Sequence, residues 1–267
     1  MELWHTNFAS IGRLPLFHDA KIHRPLAIRR LAKLGFDGLV LFCIVDDHVH
    51  LVLRGSRSFA GKVVSRIKQS WEDFFAGDVG GAFHRPVEDR SHLLSLISYF
   101  FDQPRIHGLG AAPHQWDGSC FFDLVGARWL PALRLELLDL LPRVSLSALY
   151  KAAKTTPPNI ANPGTTNPTS LWEAVQRAFA VVLGHEQRSW QWVMARAAAV
   201  QLAQAAGIPR GEMLAVHPFG ERTWRRMIQR PLPREALNAV RLQLALYQPR
   251  CGRELETLTD RNTAQLA

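Results

Sequence analysis

LVLFCIVDDHVHLVL, residues Leu39 to Leu53, is the stretch on which the reading of this chain turns. Leu39, Val40, Phe42, Ile44, Val45, Val49, Val52 and Leu53 are rich in β-formers, and such a run suits a central strand better than a helix. Side chains of a strand alternate between its faces, so His48 and His50 project the same way and can chelate one metal ion. Two histidines so spaced are more often structural residues than ligands, and the pair needs other evidence beside it.

Working outward, the residues before position 130 read as strand (Leu3 to Ser10), helix (His23 to Leu34), the strand over Leu39 to Leu53, helix (Phe59 to Phe75), short strand (His84 to Val87) and helix (Ser91 to Phe101). That mixture predicts an α+β layer of sheet and helices. The first helix carries apolar residues at 26, 28, 31 and 34 and stops at Gly35. The second points Val63, Val64, Ile67, Trp71 and Phe74 inward and leaves Lys62, Arg66 and Lys68 outside, a basic face suited to phosphates or simply to solvent.

KAAKTTPPNIANPGTTNPTS, residues 151 to 170, replaces periodic apolar residues with Pro, Thr and Asn and reads as a linker. After it the chain turns helical: 170 to 184, 188 to 207, 210 to 216, 221 to 230, and a last helix over 234 to 247. The helix, Gly-bounded turn, short helix and further helix from Ala195 to Arg230 have a helix-turn-helix layout. Trp224, Met227 and Ile228 form the inward stripe of the last of these, and Arg222, Arg225, Arg226 and Gln229 face out toward a DNA groove or plain solvent. The expected division is 1–130 for the sheet domain, 131–169 for a connecting helix and linker, 170–250 for the helical domain and 251–267 for a polar tail.

The chain's 267 residues, 47% of them hydrophobic, are enough for a large core. Lys and Arg outnumber Asp and Glu by 32 to 23, the net charge is +9 and the pI is near 10.1, a balance that favours a polyanionic partner, most commonly nucleic acid. Cys43, Cys120 and Cys251 are odd in number and lack paired spacing, which argues against a disulfide framework and fits a reducing cytoplasm. No basic-then-apolar leader opens the sequence and no run reaches the length of a membrane span, so neither secretion nor a membrane is expected.

Tyr99 is one of three tyrosines and lies on the helix that Pro104 halts. Gln103 follows four residues later, on the same helical face, so a phenol and an amide oxygen project together. By itself Tyr99 reads equally as an amphipathic residue at the edge of the core.

The opening LWHTNFASIGRLPLFHDAKIHR, then CIVDDHVHLVL, then FHRPVEDRSHLLSLISYFFDQPRIHGLGAAPHQWDGSCFFDLVG with Trp116 and Ser119, run in an order that resembles the single-tyrosine HUH transposases, in the branch of REP-associated tyrosine transposases. The resemblance covers residues from about 3 to 126. It implies a ferredoxin-like HUH domain, an antiparallel sheet with helices, followed here by the all-α helix-turn-helix domain. It makes His48 and His50 metal ligands, Gln103 the residue completing the metal shell, Tyr99 the nucleophile, and Mg²⁺ or Mn²⁺ the cofactor. Two positions depart from the family: Asp46-Asp47 stand where Pro-Asn usually precedes the first histidine, and Gln103-Pro104 where Asn-Pro follows the tyrosine. The aspartates bring negative charge that either aids metal capture or hinders DNA approach.

What the resemblance implies is strand transfer on single-stranded or hairpin DNA. A phosphodiester repels nucleophiles, so its non-bridging oxygen must be neutralised and an attacking oxygen aligned. Attack by a phenolate yields a 5′-phosphotyrosine link and a free 3′-hydroxyl, conserving the bond energy for rejoining. Lys62, Arg66, Lys68 and Arg85 are candidates to track the DNA backbone, and Trp71 or Phe83 to stack on bases, though Trp71 sits on an apolar stripe. The chain is expected to act as a monomer or homodimer. The alternatives are a non-catalytic DNA-binding regulator that retains the fold, and a metal-dependent hydrolase acting on a small phosphate ester.

Overall fold

The computed structural model describes residues 2–160, 167–217 and 220–247, and in it Leu39–Leu53 is a hairpin rather than one strand. The two arms, β2 and β3 below, close across Asp46-Asp47, where the Val45 N–H donates to the His48 carbonyl over 2.8 Å. No glycine or proline marks this turn, which is why the sequence reads as continuous. Its placement is decided from elsewhere in the chain: Leu16 N–H donates to the Asp46 carbonyl (2.7 Å) and Ser10 N–H to that of Asp47 (2.9 Å). The linker residues 161–166 and the expected tail 251–267 lie outside the described residues.

The chain divides into two units, one of residues up to Leu124 plus Leu130–Lys154, the other of Val125–Trp129 plus the described residues from Thr155 onward. The first unit runs β1 (Leu3–Ala9), α1 (Ala20–Leu34), β2 (Leu39–Ile44), β3 (His48–Arg54), α2 (Arg57–Ser70), β4 (Phe83–Pro86) and α3 (Arg90–Phe101). Four short helices follow: α4 (Gln103–Ile106), α5 (Phe121–Leu124), α6 (Leu137–Leu140) and α7 (Leu146–Ala152). Its strands form one antiparallel sheet in the order β2-β3-β1-β4, so the unit is α+β.

Asp19 caps α1 by accepting from the Lys21 and Ile22 N–H groups, and Gly35 ends it in the left-handed conformation at φ 55°. Ser56 caps α2. Trp71, fully buried, packs on Phe8 at 6.3 Å between ring centroids, which sets α2 against the sheet face that carries the even-numbered residues of β1. The odd-numbered residues of β1 point to the opposite face. There Phe100 of α3 lies 5.4 Å from His5 and 5.6 Å from His50.

Residues expected to connect the domains, 131 to 154, belong to the sheet unit, and Glu136 is the reason. Buried at the sheet's end, it accepts from Gly38 N–H (3.0 Å) and pairs with the Arg54 guanidinium (2.6 and 2.8 Å), tying the start of β2 to the end of β3. Glu136→Ala strands a guanidinium and a buried N–H at once. We expect a loss of about 3 kcal/mol, read as a lowered urea midpoint of the sheet unit.

The second unit holds α8 (Pro168–Phe179), α9 (Trp190–Ala205), α10 (Arg210–Val216), α11 (Glu221–Ile228) and α12 (Arg234–Leu246), close to the helices read from the sequence. Alanines 195, 197, 198, 199 and 203 let the neighbours of α9 approach its axis, and Trp172, Trp192, Met213, Trp224 and Met227 fill the spaces between. Trp129 joins this core against Phe179, with its N–H on the Ala178 carbonyl.

His217 is buried in the same core, stacked on Trp172 at 4.2 Å and accepting from the Arg196 Nε–H at 3.1 Å. Burial, reinforced by the Arg196 charge, pushes its pKa from 6.5 down to about 4. Above pH 6.5 the ring is neutral in folded and unfolded chains alike. As pH falls from 6.5 toward 4 the unfolded chain takes up the proton first, and stability is lost across that window. Between pH 7 and 5 the helical unit should lose about 2 kcal/mol in urea denaturation, and His217→Gln should flatten that dependence.

Candidate metal and nucleophile site

Cross-strand pairing assembles the site. Cys43, His50, Asn7 and Phe83 stand opposite one another across the four strands, and one step along the strands Leu41, Val52, His5 and Arg85 do the same. Residues directly opposite share a face, so His48, His50 and His5 lie together on the side covered by α3. The β1 and β4 half of that face is more open: Phe83 is 64% exposed and Arg85 is also exposed.

His48 and His50 are both buried, and their Nε2 atoms are 2.8 Å apart. His48 Nδ1 bonds the Asp47 carboxylate, and His50 Nδ1 lies 3.1 Å from His5 Nε2. The carboxylate can only accept, so His48 carries its proton on Nδ1. It follows that His50 Nε2–H donates to His48 Nε2, and His5 Nε2–H to His50 Nδ1. Burial pushes the pKa of His50 down to about 2, helped by the charges of His48 and His5, and that of His5 down to about 4, helped by His92 and Arg85. Burial also lowers His48, against the pull of Asp47. For Asp47, burial raises the carboxyl, but the His48 hydrogen bond and the Arg13 guanidinium outweigh it and hold the group below its ordinary value. The three rings are therefore neutral at neutral pH, the state in which imidazole binds metal.

Tyr99 and Gln103 arrive from α3 and α4. The Tyr99 ring meets His50 edge-on at 5.4 Å between centroids and His5 at 6.0 Å, and it remains 39% exposed. Gln103 is fully buried. Its amide nitrogen donates to the Tyr99 carbonyl over 3.1 Å, while its amide oxygen has no hydrogen-bond partner yet lies near enough to His50 to favour that ring's charged form. Phe100 and Phe101, fully buried between these residues, turn the helix so that its polar stripe faces the histidines.

These residues fit a divalent ion. Two nitrogen ligands at about 2.1 Å from one ion lie roughly 3.0 to 3.4 Å apart, so a small opening of the 2.8 Å gap suffices. Asp47 already orients His48 as a carboxylate behind a ligating histidine does, so the departure at this position supports the pair. A shift of the His50 proton from Nε2 to Nδ1, with His5 then accepting, frees the second lone pair. The unsatisfied oxygen of Gln103 supplies a third donor. One of the His107 nitrogens also lies within 4.8 Å of ligand atoms of Asp47 and His48.

The other expected residues are spread more widely. Lys62, Arg66 and Lys68 sit on α2, across the sheet from the histidines; Arg66 donates to the Leu34 carbonyl (3.3 Å) and Lys68 to those of Val79 and Gly80 (3.3 and 2.8 Å). Arg85 is on the histidine face, beside exposed Phe83, and Trp71 is core. In the second unit Arg222, Arg225 and Arg226 on α11 and Gln229 just past its end face solvent, with Arg225 held by Glu221 at 2.8 Å. Two further residues, His5 and His107, belong to the site. His5 has no local signal, because only strand pairing brings it to His50. His107 does: Tyr99, Gln103 and His107 recur every fourth residue, one stripe of a helix.

Among the described residues no helix is long and apolar enough to cross a membrane. Comparison with protein-family models, with curated proteins and with solved structures finds no match to this chain.

Proposed function

We propose that the sheet unit is a metal-dependent nicking and strand-transfer enzyme for single-stranded or hairpin DNA, of the single-tyrosine HUH kind, and that the helical unit helps select the target. The observation that carries this reading is the convergence of Tyr99 and the unsatisfied Gln103 oxygen on the His48 and His50 pair. The succession β1-α1-β2-β3-α2-β4 with strand order β2-β3-β1-β4 supports the ferredoxin-like fold that the resemblance implies. A bound Mg²⁺ or Mn²⁺ would neutralise a non-bridging phosphate oxygen and favour the phenolate.

The remaining chemistry belongs to the chain. Tyr99, exposed at the rim of the buried histidines, attacks phosphorus through its oxygen and loses its proton to solvent. The 3′-oxygen leaves and is protonated, and the 5′-phosphate stays on the tyrosine. Because the nucleophile is a side chain, a later 3′-hydroxyl can reverse the step. Arg85 and Phe83, on the open half of the same face, offer a cation for the backbone and a ring for a base. The test is incubation of end-labelled hairpin DNA with the full chain and Mn²⁺. A denaturant-stable protein–DNA adduct supports the proposal, and its absence under conditions where DNA binds and Mn²⁺ is held overturns it. The outward arginines of α11, remote in sequence from this chemistry, favour one second reading, a DNA-binding regulator without catalysis.

A further inference from the structure

We infer that His107 is a fourth ligand of the metal centre, and that the resulting three-imidazole set selects a first-row transition ion over Mg²⁺. This rests on the reading of His48, His50 and Gln103 as ligands. His107 caps the end of α4, four residues beyond Gln103, and its N–H is held by the Gln103 carbonyl at 3.0 Å. Its ring lies 4.6 Å from that of His48 between centroids, tilted at 61°. A His107 nitrogen, a His48 nitrogen and an Asp47 oxygen all fall within 4.8 Å of one another. The ring is exposed at the end of a short helix, so turning its side chain toward an ion on His48 costs only rotamer freedom. The buried oxygen of Gln103, on the same stripe and without a hydrogen-bond partner, is a second observation that points to a cation here.

Ligand chemistry then sets the ion. Mg²⁺ prefers oxygen donors in near-octahedral array and retains its water, whereas imidazoles suit zinc, cobalt and their neighbours. Three imidazoles and one amide oxygen form a nitrogen-rich set, with Asp47 placed to orient His48. Phosphate oxygens can join such an ion by expansion of its shell.

The experiment is calorimetric and visible-absorption titration of the full chain with Co²⁺, repeated with Mg²⁺, for the wild type, His107→Ala and His50→Ala. We expect one Co²⁺ per chain, far tighter than Mg²⁺, and a loss of at least about tenfold in affinity for each variant, with the Co²⁺ spectrum altered in both. Imidazole nitrogen resonances of His48, His50 and His107 should shift together when Zn²⁺ is added to the labelled wild type. Unchanged affinity and spectrum in His107→Ala would remove His107 from the centre while leaving the proposed nicking activity standing. Weakening in His107→Ala but not in His50→Ala would mean a centre on Asp47, His48 and His107 alone and would overturn the shared site. A wild type that holds no divalent ion would sink this inference and the proposed function together.

Discussion

Tyr99→Phe should abolish the covalent DNA adduct and lower strand cleavage by at least about 10³-fold, while leaving DNA affinity within about twofold of the wild type. Only one oxygen is removed, from a ring that is 39% exposed and packs on His50 and His5 through its edge, so the fold and the histidine cluster should be untouched. Adduct formation is read on a denaturing gel, and affinity by filter binding of the same hairpin. The contrast with His48→Ala separates the competing chemistries. If water were the nucleophile, Tyr99→Phe would turn over normally and His48→Ala would not. If the chain were a regulator, neither substitution would alter the labelled strand.

Gly118→Val should cost the sheet unit several kilocalories, about 4 kcal/mol or more, and remove metal binding with it. A β-carbon at this position would stand 2.2 Å from the Ile44 carbonyl oxygen, 2.8 Å from Trp116 Nε1 and 2.9 Å from Arg24 Cδ. None can retreat freely. The Ile44 carbonyl accepts from Trp116 Nε1 at 2.9 Å, the Ile44 N–H donates to the Gly118 carbonyl at 2.9 Å, and the Arg24 guanidinium lies over Trp116 while binding Asp117 at 2.7 Å. Relief of the clash strips residues 118–120 from β2, whose outer edge they cover through the Cys120 N–H on Phe42. Ile44 is one residue from the turn that sets the register of His48. Urea unfolding followed by tryptophan emission gives the first quantity, and Co²⁺ titration the second.

The periodicity of apolar residues was enough to locate most helices and the α+β class, because burial of one face leaves a mark in every turn of a helix such as α1 or α2. The hairpin was hidden because both of its arms are buried on both faces, so apart from His48 and His50 the only polar residues in Leu39–Leu53 are two aspartates whose role is set by Ser10 and Leu16. The same limit governs the site. Local spacing pairs His48 with His50 and Tyr99 with Gln103, the resemblance to HUH transposases is what joins the two pairs, and His107 extends the helical spacing by one more turn. His5 is brought in by register alone. The outward direction of Lys62, Arg66 and Lys68 was legible from α2, but which side of the sheet α2 covers depends on Phe8 and Trp71 meeting. Residues 131 to 154 look like a connector because their helices are short, and one buried carboxylate, Glu136, makes them part of the sheet unit.

The chain passes between its two units more than once, since Val125–Trp129 leaves the first, lends Trp129 and the Ala127 carbonyl to the second, and returns. On a ribosome the sheet would be nearly finished while this five-residue loan still waits for α8 and α12 to emerge, with an indole unsheltered in the interval. Cutting the gene at the proline-rich stretch therefore does not yield two self-sufficient halves: one fragment keeps a tryptophan with no home, and the other a hole where it belonged.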